Sequence, residues 1–510
     1  MSAGPMDTGQ VSADEPLTPR TILRPGEVIT RPDWPAELPV RSVHVVRIGG
    51  AGMSAVARLA LEAGYTVSGS DSQDGQFIGP LRAAGARIGI GFDAALLAPD
   101  LDLVIVSTAV RADNPEVRAA RERGIPVIHR AAALAGLLGS RELVAVAGTH
   151  GKTTTTGMAV AALRGAGHDP AWALGAAVPD LGRNAGFAAD PARGDAAGER
   201  LAVVEADESD GSFLAFTPRS LVVTNLEPDH LDFHGDAAHL TAAFDALTAR
   251  IAGGGTLVVC ADDDGARALG DRAAARGIAV LTYGTAEDAA WRLVREQPGP
   301  RGTAITVYSP AGPLDLELSV TGHHNALNAL GALAATAAAD PSADPRALAA
   351  GLAGFTGAAR RFDVAGTVAG VTVVDDYAHH PREVAAAIAA ARGIVTAAQQ
   401  GGRVLTVFQP HLFSRTRDFA AQFASALEDA DRTWVLPIYA AREDPDPTVT
   451  ARTITELAGD QVTSLEADDQ AAAAVAAVAA EGDVLLMLGA GSIDQLTPGV
   501  MTALAAAEAP

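Results

Sequence analysis

Cysteine and lysine are nearly missing from this 510-residue chain: each occurs once, as Cys260 and Lys152. A single cysteine excludes an intramolecular disulfide and leaves no ligand set for a cysteine-based zinc or iron–sulfur cluster. The basic side chains other than Lys152 are arginines, so lysine has been swept out almost everywhere. Positive charge is scarce as a whole. Lys and Arg total 38 against 61 Asp and Glu, a formal net charge of −23. That balance argues against general binding to nucleic acid or to an anionic membrane, while leaving room for a local basic cleft. No apolar run reaches the about 18 residues that a membrane-spanning helix needs. The Ala-rich stretch 471–480 is too short and is closed by Glu481-Gly482-Asp483. The first residues show neither the basic nor the apolar part of a secretory signal. The expectation is a soluble cytoplasmic protein, monomeric or homodimeric, with small-molecule substrates, no nucleic acid and no stable membrane insertion.

What the chain does have is apolar residues, 48% of the total, enough for several packed cores. Its length suits about three domains. Residues 1–39 hold seven prolines and little periodicity, and read as a flexible leader. From Ser42 the pattern is strand, glycine turn, helix, repeated, which implies parallel sheets covered on both faces. A second series starts at Leu143 and a third after Phe355-Thr356-Gly357. Segment 282–318 is richer in strand, and His324–Ala338 reads as a long Ala/Leu helix. The expected division is 1–39 leader, 40–140, 141–355 and 356–510. The expected fold is α/β: two Rossmann-like domains flanking a central P-loop ATPase-like domain with a parallel or mixed sheet.

The surviving lysine stands in Gly148-Thr149-His150-Gly151-Lys152-Thr153-Thr154, between the apolar strand Leu143–Ala147 and a helix. Glycines let backbone N–H groups close around phosphate oxygens, and the helix N-terminus adds a favourable dipole. Lysine supplies a compact charge for the β- and γ-phosphates, and the Thr153 hydroxyl suits Mg²⁺. Arginine's planar fork does not fit the same hole. Next, the strand Leu201–Val204 runs into Glu205-Ala206-Asp207-Glu208-Ser209-Asp210. Acids at the carboxyl end of a buried strand lie where α/β sheets bind ligands. Mg²⁺ takes such oxygen donors, and Glu205 is the candidate metal ligand. Asn225-Leu226-Glu227-Pro228-Asp229-His230 follows another apolar strand, and Asn325 and Asn328 open the long helix. In the third unit, Arg360-Arg361 precedes two strand-end loops, Asp375-Asp376-Tyr377-Ala378-His379-His380-Pro381 and Gln409-Pro410-His411-Leu412-Phe413-Ser414-Arg415-Thr416. Together they offer what a carboxylate, a phosphate and an amine would need.

The shortened loop G-T-H-G-K-T-T resembles that of the Mur ligase superfamily, and the N-x-E-x-D-H, H-N-x-x-N, D-D-Y-x-H-H-P and Q-P-H-x-x-S-R-T segments resemble its other motifs in order. The resemblance covers about residues 42–505. It implies an ATP-dependent carbon–nitrogen ligase of peptidoglycan precursor synthesis, working through an acyl phosphate. ATP would lie on Gly148–Thr154, Asn325, Asn328 and Arg361. Thr153, Glu205 and His230 would hold Mg²⁺, two ions bridged by Glu205. Lys152, Glu205, His230, Arg361, Asp376 and His379 would carry the chemistry, with His379 or a carboxylate the candidate base, and Tyr377, His380, His411 and Arg415 would receive the amino acid. Several members carry a carbamylated lysine about 15 residues past the histidine of the second loop. Here that place is Ala243-Phe244-Asp245. Its absence fits the branch that adds the first amino acid, so UDP-N-acetylmuramate and L-alanine are the implied substrates.

Ile48-Gly49-Gly50-Ala51-Gly52-Met53-Ser54, with Asp71 at the end of the next strand, reads on its own as a nicotinamide-dinucleotide turn. An oxidoreductase would leave the phosphate loop and the acidic loops unexplained. The resemblance makes it instead a UDP-sugar site of Gly49, Gly50, Ala51, Gly52, Met53, Asp71, Ser107, His129 and Arg130. Three positions depart from the family pattern: Arg47, His323 and Ser492. They sustain a rival reading as an inactive UDP-sugar binder. A ligase of the same family that recycles whole murein peptides is the other rival.

Overall fold

The computed structural model describes residues 40–507, except 112, 140, 188–199, 300–301, 399–400, 442 and 467–469. The Pro-rich leader lies outside the described residues.

Among the described residues three sheets follow one another along the chain. The first holds β1 (Ser42–Val46), β2 (Thr66–Asp71), β3 (Arg87–Ile90), β4 (Leu103–Val106) and β5 (Val127–His129), all parallel, in the order β3-β2-β1-β4-β5. The second holds ten strands. β6 (Glu142–Ala147) lies centrally between β9 (Leu201–Glu205) and β10 (Pro218–Val223). β7 (Ala171–Val178) and β8 (Arg183–Gly186) extend it on one side, and β11 (Thr256–Cys260) and β12 (Ala279–Gly284) on the other. The strand-rich segment continues that side as β13 (Trp291–Gly299), β14 (Gly302–Ser309) and β15 (Gly312–Leu318), whose mutual pairings are antiparallel. The third sheet runs β16 (Asp363–Val368), β17 (Val371–Asp376), β21 (Val484–Leu488), β18 (Val404–Phe408), β19 (Arg432–Val435), β20 (Val462–Ser464). Only β16 in it is antiparallel.

Runs such as β4, β18 and β21 are almost wholly apolar because they are buried on both faces, whereas β14 and β15 alternate buried with more exposed residues and keep one face open. Strand ends shift by a few residues from the sequence reading. β1 stops at Val46 because Arg47 turns to φ 59°. The phosphate-loop helix starts at Lys152 and runs to Gly165.

The two joints between domains differ in character. The helix Ala51–Glu62 lies on β7 and β8, and one apolar cluster runs from Val43, Val45 and Leu59 into Leu143, Ala145 and Phe213. Asn184 donates to Ala51 O at 2.9 Å and to Ser54 Oγ at 2.9 Å, and Arg183 pairs with Glu62 at 2.7 Å. The third domain has its own cores; Ala358 at its start packs into the second domain's core, and many of the other contacts between the two are polar. Among them are Arg415–Asp229 at 2.7 Å, His150–Glu383 at 3.0 Å and Thr356 Oγ1 to Asp180 at 2.9 Å.

Candidate active site

The phosphate loop leaves β6 at Ala147. Gly148 (φ 127°) and Gly151 (φ 80°) occupy backbone conformations that L side chains rarely adopt. A Cβ on Gly151 would also lie 2.5 Å from Asn328 Oδ1. The loop after β10 scaffolds it. His150 N donates to Asn225 Oδ1 at 2.8 Å, and Thr224 Oγ1 donates to His150 O at 2.6 Å. Glu227 N donates to Thr149 Oγ1 at 3.0 Å. Lys152 Nζ donates to Gly148 O at 2.7 Å, Thr149 O at 3.0 Å and Glu208 Oε1 at 2.9 Å. Burial alone would lower the pKa of Lys152, but Glu208 and Asp207 outweigh it and hold the ammonium above its ordinary value.

The acidic segment divides its side chains. Glu205, opposite Val146 in the sheet, accepts from Gly175 N at 2.7 Å. Asp207 pairs with Arg130 of the first domain at 2.8 Å, and Asp210 accepts from Thr108 Oγ1 at 3.0 Å. Glu208 is 1% exposed, and burial pushes its carboxyl up to about 7 despite Lys152. Burial would raise Asp210 too, but Arg130 and His129 hold it far below the usual carboxylate range. His230 sits at φ 52°, with Nε2 3.7 Å from Glu208 and 3.6 Å from Asp229. Burial lowers its pKa, and its Nδ1 has no hydrogen-bond partner among the described residues. Glu208 thus stands between Lys152 and His230.

From the third domain, Arg360 and Arg361 flank Tyr377, their guanidinium carbons 5.2 and 5.0 Å from the ring centre. Arg360 is tied to Asp375 and Gly489 O. Asp376 accepts from Phe362 N and Ala378 N, each at 2.7 Å, and burial lifts its carboxyl to about 6. His379 Nδ1 lies 2.9 Å from Tyr377 O. A carbonyl only accepts, so Nδ1 carries the proton and Nε2 is left with its lone pair. Burial pulls the His379 pKa down to about 4, so the ring is neutral near pH 7. Glu383 receives the backbone N–H groups of His379 and His380 and pairs with His150 Nδ1. Arg415 bonds Asp229 at 2.7 Å, and its other end lies 3.5 Å from His411.

Two clefts open on either side of the phosphate loop. One, of about 530 Å³, is walled by Gly49, Ala51, Gly52, Arg130, Lys152, Thr153, Glu205, Asp207, His230, Tyr377, His379, His411 and Arg415. The other, of about 660 Å³, is walled by Thr154, Cys260, Tyr283, His323, Asn325, Asn328 and Asp376. His150, Gly151, Arg361 and Glu383 border both. Most expected residues therefore converge, but several do not face either cleft. Gly50, Met53, Ser107, His129 and His380 are outside both linings. Asp71 accepts from Gly49 N at 2.8 Å, and so holds the glycine turn from behind. His129 caps the helix Arg130–Leu138, with Nε2 3.5 Å from Asp210. His380 turns towards the rings of His150 and Phe419, 4.7 and 5.1 Å away.

The sequence reading gave no individual role to Asp207, Glu208, Asp229 or Glu383. Glu383 had a signal: an acid in the first turn of the helix Pro381–Ala398, placed to receive the N–H groups before it. The three departures are peripheral or satisfied. Arg47 is exposed, 5.7 Å over the Phe92 ring; His323 pairs with Glu296 at 2.6 Å; Ser492 accepts from Gln409 Nε2 at 3.2 Å.

A lysine-bearing phosphate loop shared by two clefts, an acid-rich wall and a third domain that brings arginine and histidine to it define a ligase that couples a phosphoryl donor to a second substrate. The chain belongs to the Mur ligase family. The model of the Mur ligase family catalytic domain matches residues 42–141, that of the Mur ligase middle domain 146–336, and that of the Mur ligase glutamate ligase domain 360–491. A UDP-N-acetylmuramate–L-alanine ligase of Paenarthrobacter aurescens (strain TC1) is 49% identical over 464 residues, 91% of this chain and 97% of that one. The crystal structure of a UDP-N-acetylmuramate-alanine ligase from Thermotoga maritima superposes with a TM-score of 0.75 at 28% identity, covering 92% of this chain and 100% of that one. A murein peptide ligase from Psychrobacter arcticus reaches a TM-score of 0.68 at 24% identity over 91% of this chain and 99% of its own, a likeness of fold.

Proposed function

We propose that this chain joins L-alanine to the carboxylate of UDP-N-acetylmuramate with ATP as phosphoryl donor, in peptidoglycan precursor synthesis. The observation that carries the reading is the single phosphate loop bordering both clefts. A nucleotide on the Asn325–Asn328 side and a UDP-sugar on the Arg130 side would meet at Lys152. The 49% identity to a ligase of that name supports the choice of substrates.

In the first step the muramate carboxylate attacks the γ-phosphorus, and the bond to the ADP oxygen breaks. Lys152 and Arg361 offset charge on the transferring group. In the second step the alanine amine attacks the acyl phosphate carbon and phosphate leaves. Nε2 of neutral His379 takes the amine proton. Arg415 and His411, beside it on the same wall, would orient the amino acid, and Arg130 with the Gly49–Gly52 turn would hold the UDP diphosphate. Thr153, Glu205 and His230 are a fitting donor set for Mg²⁺: hydroxyl, carboxylate and an imidazole whose Nδ1 has no partner among the described residues, all on the first cleft wall. Bound there, the metal would neutralise phosphate charge.

Phosphate release from ATP, with UDP-N-acetylmuramate and Mg²⁺ present, tests the reading across L-alanine, glycine, L-serine, a murein tripeptide and no acceptor. Release that needs both the UDP-sugar and L-alanine is expected. Release only with the tripeptide would move the protein to peptide recycling, and no release at all would overturn the activity.

A further inference from the structure

The seam between the second and third domains holds a histidine pair that the ligation chemistry does not use. His380 is 6% exposed, and neither of its ring nitrogens has a hydrogen-bond partner among the described residues. It faces His150, ring centres 4.7 Å apart. His150 Nε2 is likewise buried and without a hydrogen-bond partner among the described residues, and lies 3.7 Å from Glu227 Oε2. One ligand atom from each of His150, Glu227 and His380 lies within 4.8 Å of the others. Donors of a tetrahedral zinc site, at about 2.0–2.2 Å from the ion, are roughly 3.4 Å apart. A small tightening of this cluster would meet that spacing.

We propose that His150, Glu227 and His380 form a binding site for a borderline transition-metal dication, Zn²⁺ or a close relative, that ties the phosphate loop to the third domain. Three further features support it. The outer partner of a metal-bound imidazole is already in place: His150 Nδ1 is 3.0 Å from Glu383, which leaves Nε2 as the donor atom. Glu227 divides its oxygens, Oε1 meeting Arg382 and Oε2 facing His150. Glu227 itself is anchored, since its N–H and carbonyl both engage Thr149 Oγ1. Two imidazoles and one carboxylate favour Zn²⁺, Co²⁺ or Ni²⁺ over Mg²⁺, which prefers oxygen ligands. The site is therefore chemically separate from the Thr153, Glu205 and His230 set.

Equilibrium dialysis of the full, tag-free, metal-stripped chain against Zn²⁺ in excess Mg²⁺ tests this, with Co²⁺ as a spectroscopic probe. One Zn²⁺ per chain is expected, and Co²⁺ should give the visible bands of a tetrahedral, imidazole-bound ion. Glu227→Gln and His380→Asn should each weaken Zn²⁺ by about tenfold or more, and Glu383→Gln by about 10- to 100-fold. Glu205→Gln should leave Zn²⁺ binding unchanged. Circular-dichroism melts of each variant check that the fold is kept. Displacement of Zn²⁺ by Mg²⁺, equal binding by wild type and both ligand variants, loss confined to Glu205→Gln, or no bound Zn²⁺ would each overturn the proposal. Because the readout is binding, failure here and failure of the ligase reading are distinguishable.

Discussion

Lys152 is the residue whose role the sequence declares most openly, because the rest of the chain has no other lysine to dilute the signal. Its ammonium fills a hole bounded by two backbone carbonyls and Glu208. A guanidinium would keep the charge but not the fit. Lys152→Arg should therefore fold normally and lose turnover by about 10³-fold or more, read as phosphate release at saturating substrates. Turnover near wild type would show that charge alone suffices. Glu208 was harder to read. Four acids lie within six residues, and which of them turns inward depends on where β9 ends and how the following turn rotates each side chain. His380 shows the same limit. The motif places it beside His379, but successive residues before a helix point in different directions, and only His379 reaches the cleft.

At the scale of elements, the strand–loop–helix order and the glycine turns were legible because both have local causes. The apolar strands, the phosphate loop before its helix and the strand-rich character of segment 282–318 follow from pattern and punctuation; the antiparallel pairing of β13, β14 and β15 was not read from it. Contacts between loops of different domains have no such local cause. Arg415, at 6% exposure, and Asp229, at 5%, are 186 residues apart and form a buried pair across the polar seam. Removing one partner of such a pair leaves a buried charge, at about 3–5 kcal/mol. Asp229→Asn should loosen the third domain while the first two stay joined. Urea unfolding should then show an early transition, and small-angle scattering a larger radius. A single unshifted transition would mean that other seam contacts suffice.

For the whole molecule, the joints predict where motion lies. The first domain shares an apolar core with the second, whereas the third rests largely on hydrogen bonds and ion pairs, which are cheaper to break and remake. That seam also carries an acid sensitivity. Burial holds His380 in the folded chain at about 4, below the ordinary 6.5, so only the unfolded chain takes up its proton between those values. Stability is thus lost as pH falls from about 6.5 to 4, on the order of 3 kcal/mol from this residue. Glu208 works the other way: its raised value, about 7, gives stability at low pH that fades as pH rises from about 4.5 to 7. With chelator present, His380→Asn should narrow the stability difference between pH 7 and pH 4.5. An unchanged difference would place the acid response elsewhere.

The lone lysine has a practical consequence. A protease that cuts only after lysine has one target in the entire chain, at the first residue of the phosphate-loop helix, and would leave fragments 1–152 and 153–510. In the folded protein that bond is held in the helix, and cleavage has to wait for the loop to open. The rate of appearance of two bands would therefore report the local opening of this one loop, and slower cleavage with a nucleotide bound would measure how tightly the ligand closes it.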